Sequence, residues 1–146
     1  MTTSSYKDAI HNRDGWCQIT AFRTETEAAH IIPSDIDGSS VIDDHANLVV
    51  LRADIHKAFD DRNFILYPKD NASYYVHMIK PSPNLGVWYH NAKSHPIELC
   101  RPQFLFARFS WTLFPLISEF LIYHVDKTVI EVTSNDIGIQ QRNVVC

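Results

Sequence analysis

The chain has 146 residues, 45% of them hydrophobic and 12% aromatic, with a formal net charge of −4. That length and apolar content suit one folded domain with a filled core and argue against disorder. The acidic balance argues against a broadly basic polyanion-binding surface and leaves a bound cation or a local Lys/Arg cluster to serve a phosphate.

Three cysteines, Cys17, Cys100 and Cys146, are an odd and widely spaced set. They do not read as a disulfide framework, and they point to a reducing compartment. The first residues, M-T-T-S-S-Y-K-D, contain no apolar run of the signal-peptide kind. An intracellular location, nucleus or cytoplasm, is therefore expected. The apolar stretch from Phe104 to Val125 is interrupted by Arg108, Ser110, Pro115, Glu119 and His124. A membrane-spanning helix would be cleaner, so this stretch is expected to be a buried or partner-facing helix, and no membrane span is expected.

In chain order, Ser4 or Ser5 can cap a short helix through about Asn12, and Arg13-Asp14-Gly15 signals a turn. Trp16 to Thr20 reads as a short strand and Glu27 to Ile32 as a second, so a hairpin is expected across the turn at 21–26. Pro33 to Asp44 is a loop rich in Asp, Ser and Gly. Leu48 to Leu51 is apolar throughout, and periodicity does not decide between a strand and the buried entry to a helix. Arg52 to Asp61 reads as a helix with Ile55, Ala58 and Phe59 facing inward. Phe64–Tyr67 and Tyr74–Ile79 look like two more strands, and Val87–Tyr89 like a further short one. Trp88 to Asn91 reads as a buried aromatic turn. Pro102 suits a first helical position, and Pro115 is expected to break or kink that helix near Phe114. The run T-V-I-E-V-T looks like a strand, and the tail from Ser134 is expected to fray.

The chemistry concentrates between Glu27 and Asp60. Hydrolysis of a phosphodiester needs a deprotonated water, stabilised charge on phosphorus and a neutralised leaving oxygen. A neutral imidazole can take the proton near physiological pH, and His30 is the candidate general base. Alone, it would read as a core histidine with a satisfied hydrogen bond. His56 and Asp60 are four apart in a helical run and share a face, which suits a divalent cation. Asp60 reads equally as a solvated helix carboxylate. Asn47 could use its amide to clamp the loop backbone, or serve as an ordinary cap. Arg52 could meet a phosphate or close a surface ion pair, and Lys57 and Arg62 carry weaker versions of the same suggestion.

Three blocks in this order carry a resemblance: R-D-G-x-C-x-x-T at Arg13 to Thr20, E-A-A-H-I-I-P at Glu27 to Pro33, and N-L-V-V-L-R-A-D-I-H-K-A-F-D at Asn47 to Asp60. Over about residues 10 to 68 they resemble the HNH endonuclease family. The resemblance implies an α+β fold with a ββα-metal (His-Me finger) core of two strands and a helix around one divalent ion, Mg²⁺, Mn²⁺ or Zn²⁺. It matches His30 to the general base, Asn47 to the middle asparagine, His56 to the metal-binding histidine and Asp60 to a second ligand position. DNA, or RNA, is the implied partner. Many members place Asp or His just before the base, where this chain has Ala29; Glu27 is the nearby carboxylate. Ala21 stands where a glycine often closes the hairpin. Residues 69–146 are expected to be an extension of the same domain, of undefined role. The rival readings are an HNH-fold nucleic-acid-binding or regulatory module without cleavage, and a structural zinc module of an interaction protein.

Overall fold

The computed structural model of the protein describes residues 3–33, 44–70, 73–97, 99–122, 128–131 and 140–143. Most of the expected loop after Pro33 lies outside them. The elements run α1 (Thr3–Asp14), β1 (Thr26–His30), a 3-10 turn (His45–Asn47), β2 (Leu48–Arg52), α2 (Ala53–Asp60), β3 (Phe64–Asp70), β4 (Ser73–Met78), α3 (Pro83–Tyr89), α4 (Pro102–Ile122), β5 (Thr128–Glu131) and β6 (Gln140–Asn143). The fold class is α+β, with three separate two-stranded antiparallel sheets among the described residues. The chain divides into two compact units, Met1–Leu113 and Phe114–Cys146.

The expected first hairpin does not form. Residues 16–20 are a turn: Ala21 donates to the Cys17 carbonyl, and Cys17 to that of Phe22. Ala21 closes this turn at φ 60, a left-handed conformation that costs an alanine more than a glycine. Gln18 makes a single backbone bond to Val50, too little to propagate a strand. β1 pairs instead with β2, from Thr26 opposite Arg52 to His30 opposite Leu48. The order is thus strand, loop, strand, helix, and β1, β2 and α2 are the two strands and helix of the core.

β2 is apolar on both faces because it separates two cores. Val49 and Leu51 face the larger one with Ala29, Ile31, Ile55 and Phe59, while Leu48 and Val50 pack with Ile10 of α1. A strand buried on both faces loses the alternation that would identify it. α2 has eight residues, too few to persist alone. It is held by burying Ile55, Ala58 and Phe59, and a fully buried phenylalanine contributes roughly 1.5–3 kcal/mol.

Arg13 and Asp14 act as a fastener between α1 and β2. Arg13 donates to the carbonyls of His45 (2.7 Å) and Leu48 (2.6 Å), and Asp14 Oδ2 accepts from Val50 N at 2.9 Å. Gly15, at φ +71, ends α1 with a bond back to His11. The R-D-G block is therefore architecture. Cys17 and Cys100 are free, buried thiols, and burial pushes Cys100 up to about 11.

Four further expectations are corrected. α1 begins at Thr3, so Ser4 and Ser5 lie within it and do not precede it. Residues 87–89 belong to α3, because Ser82 Oγ caps Leu85 N (3.3 Å) and Pro83 takes the first turn. Trp88 on that helix is 76% exposed and not buried. Pro115 does not end α4, which continues to Ile122. In the second unit β5 lies within the expected strand, and the tail supplies its partner β6, with Thr128 opposite Asn143.

Candidate active site

β1, β2 and α2 place the candidate residues. Side chains alternate along a strand with a period of two. Ala29 joins the core under α2, and Ala28 packs against the α1 side. Glu27 therefore shares the α2 face with Ala29, and His30 shares the other with Ala28. On the α2 face, His56 Nδ1 lies 2.6 Å from Glu27 Oε2, and His56 Nε2 lies 3.3 Å from Asp60 Oδ2. The helical pair is brought together, and the strand adds a carboxylate that sequence spacing alone did not guarantee. Among the described residues, no group of three or more His, Cys, Asp and Glu side chains is arranged to hold a metal ion.

His30 is the last residue of β1 and is partly exposed, but its Nε2 is buried with no hydrogen-bond partner among the described residues. The segment that follows it is pinned by Asn47. This asparagine is fully buried; its Oδ1 accepts from Ile32 N (2.7 Å) and its Nδ2 donates to Ile32 O (3.1 Å). Ile31 N donates to the Asn47 carbonyl at 2.8 Å. A reciprocal amide pair of this kind fixes both the N–H and the C=O of one residue. Asp44 supports it from below, with Oδ1 accepting from Ala46 N (2.9 Å) and its carbonyl accepting from Asn47 N (2.8 Å).

Sequence reasoning missed Arg108. It sits buried on α4 and donates to the carbonyls of Ile31 and Phe59, with its guanidinium over the Phe59 ring. Ile31 directly follows His30, and Phe59 directly precedes Asp60. One side chain thus ties the two halves of the site. The available signal was an arginine between Phe106, Phe109 and Trp111, where a solvated helix face would be polar.

Arg52 is engaged. Its guanidinium makes a two-pronged pair with Asp54 at 2.6 and 2.7 Å and lies over the rings of Phe22 and Tyr89. These bonds hold the Asp54 carboxyl below the usual carboxylate range. The group's value is depressed on folding, so its contribution is present above that range and is lost only as pH falls through it. A phosphate would have to compete with Asp54. Lys57 bonds Asp61 at 2.8 Å, and Arg62 stacks on Trp111. Asp54→Asn, which keeps the acceptor for Ile55 N, should release Arg52. Duplex DNA binding followed by anisotropy should then show a steeper salt dependence, by about 0.9 in the log–log slope. An unchanged slope would mean that Arg52 takes no part in binding.

Residues 17–67 match the family model described as HNH endonuclease. This segment belongs to the HNH endonuclease family. A comparison with curated proteins gives no match. The matched HNH segment spans β1, β2 and α2 and so contains His30, Asn47, His56 and Asp60, with Glu27 and Arg52. Arg108 lies outside it, yet bonds the HNH core at two carbonyls. No helix is long and apolar enough to cross a membrane among the described residues.

Proposed function

We propose that the chain is a metal-dependent endonuclease that hydrolyses DNA phosphodiester bonds at the HNH core. The observation that supports it is the family match over a segment that carries His30 at the end of β1 and the His56/Asp60 pair on α2. His56 and Asp60 would hold one divalent ion, since an imidazole nitrogen and a carboxylate oxygen already face each other there. Two donors from one helix leave room for water and phosphate oxygens, as in catalytic magnesium sites. When bound, such an ion supplies charge stabilisation at phosphorus and at the leaving oxygen.

His30 takes the proton from the attacking water. Its Nε2 is shut off from solvent, so the proton is accepted at Nδ1. Asn47 keeps the end of β1 in register with the start of β2 and so sets where that ring stands. Arg52 meets the substrate backbone once Asp54 yields it.

Cleavage of DNA measured against added Mg²⁺ or Mn²⁺ tests this reading. The parent should cut only with the ion present. His56→Ala should need much higher ion concentration, and Asp60→Ala moderately higher. Equal cutting by parent and His56→Ala in the presence of a chelator would overturn the metal assignment. Ala29, standing where many members place a ligand, favours a second reading: an HNH-fold DNA-binding module without cleavage. Binding without cutting at any ion concentration would select it.

A further inference from the structure

We propose that Glu27 is a positioning residue for His56: it accepts the Nδ1 proton and so leaves Nε2, facing Asp60, as the nitrogen that meets a divalent cation. Glu27 is then not a replacement ligand for the one missing at Ala29. The cation rests on the reading above; the hold of Glu27 on the ring does not.

A neutral imidazole has one N–H and one lone pair. The two contacts of His56 are unequal, 2.6 Å to Glu27 and 3.3 Å to Asp60. The first has the length of a charge-assisted hydrogen bond, and the second is longer than a good one. In the neutral ring the single proton therefore belongs on Nδ1. The Nε2 lone pair is left beside the Asp60 carboxylate, two electron-rich atoms in contact, an arrangement that a cation relieves. Two neighbouring ligands at about 2.1 Å in octahedral geometry lie about 3 Å apart, close to the spacing already present. A carboxylate on the far nitrogen of a metal-bound imidazole fixes its tautomer and raises its basicity.

The sequence explains how Glu27 reaches this position. Two residues before Ala29 on a strand, it returns to the same face. Its partner in the sheet is Leu51, next to Arg52, from which α2 starts. A ligand at Ala29 would point into the core beneath α2, where Ala29 is fully buried. Glu27 approaches from the rim, with 55% of its side chain exposed. That exposure also means that replacing it leaves the core intact.

The test uses the whole chain with ¹⁵N-labelled histidine, metal-free, at a pH where the ring nitrogen shifts themselves show a neutral imidazole. Long-range ¹H–¹⁵N spectra should show His56 with its proton on Nδ1, against the usual preference of free imidazole for Nε2. Glu27→Ala should return the ring to that usual preference. Glu27→Gln, whose amide oxygen still accepts, should keep the Nδ1 proton. Zn²⁺ titration calorimetry, with His56→Ala defining background, should then show affinity lower by about 10- to 100-fold in Glu27→Ala. In Glu27→Gln the loss should be several-fold at most. A parent His56 protonated on Nε2 would overturn the proposal. So would equal loss of affinity in Glu27→Gln and Glu27→Ala, which would make Glu27 a direct ligand. An Nδ1 proton in a parent that binds no Zn²⁺ would uphold the Glu27–His56 arrangement and sink the metal-dependent reading instead.

Discussion

His30→Ala is expected to slow DNA cleavage by about 10² to 10⁴, the usual cost of losing a general base. The same variant should bind Mn²⁺ as the parent does, because His30 lies on the opposite face of β1 from Glu27, the β1 residue that meets His56. Its melting temperature should change little, since the clamp on that strand end belongs to Asn47 and the peptide of Ile32. Single-turnover cleavage, ion titration and thermal melting separate these effects. A fall in all three would make His30 a packing residue. A rate equal to the parent's would remove it from the chemistry.

Arg108→Met is the variant expected to cost most in stability. The methionine keeps the buried stem and removes the donors to the Ile31 and Phe59 carbonyls. A buried acceptor stripped of its partner costs about 1–3 kcal/mol, and the guanidinium also leaves the Phe59 face. A loss of roughly 2–4 kcal/mol in urea unfolding is expected. Metal affinity should weaken as well, because the freed carbonyl of Phe59 precedes Asp60. A variant as stable as the parent would show that α4 is not fastened to the HNH core by this side chain.

These two residues differ in how far the sequence disclosed them. His30, Asn47, His56 and Asp60 stood out because residue type and spacing together restrict what they can do: four positions along α2 return to one face, and an E-A-A-H-I-I-P block is an uncommon string. Arg108 makes its contacts 49 and 77 positions away along the chain, and no local pattern encodes a partner at that distance. The same limit explains the misplaced hairpin. Trp16 to Thr20 has strand-like composition, but pairing was decided by β2, whose two-sided burial hid it as an undirected apolar run. Burial of Leu48 and Val50 against Ile10, and of Val49 and Leu51 against Ile55 and Phe59, is a tertiary fact. Trp88 shows the opposite failure, since aromatic content suggested burial while the Ser82 cap and Pro83 made a helix that leaves the ring exposed. Glu27 was legible as a carboxylate near the site. Which atom it would meet depended on the pairing of β1 with β2.

Conversion of supercoiled plasmid to nicked form by purified protein, with His30→Ala prepared alongside, tests the central claim most directly. With Mg²⁺ or Mn²⁺ the parent should nick in single turnover, a chelator should stop it, and His30→Ala should be slower by about 10² or more. Plasmid left intact by a folded, metal-binding parent, or nicked equally fast by parent and His30→Ala, would contradict it.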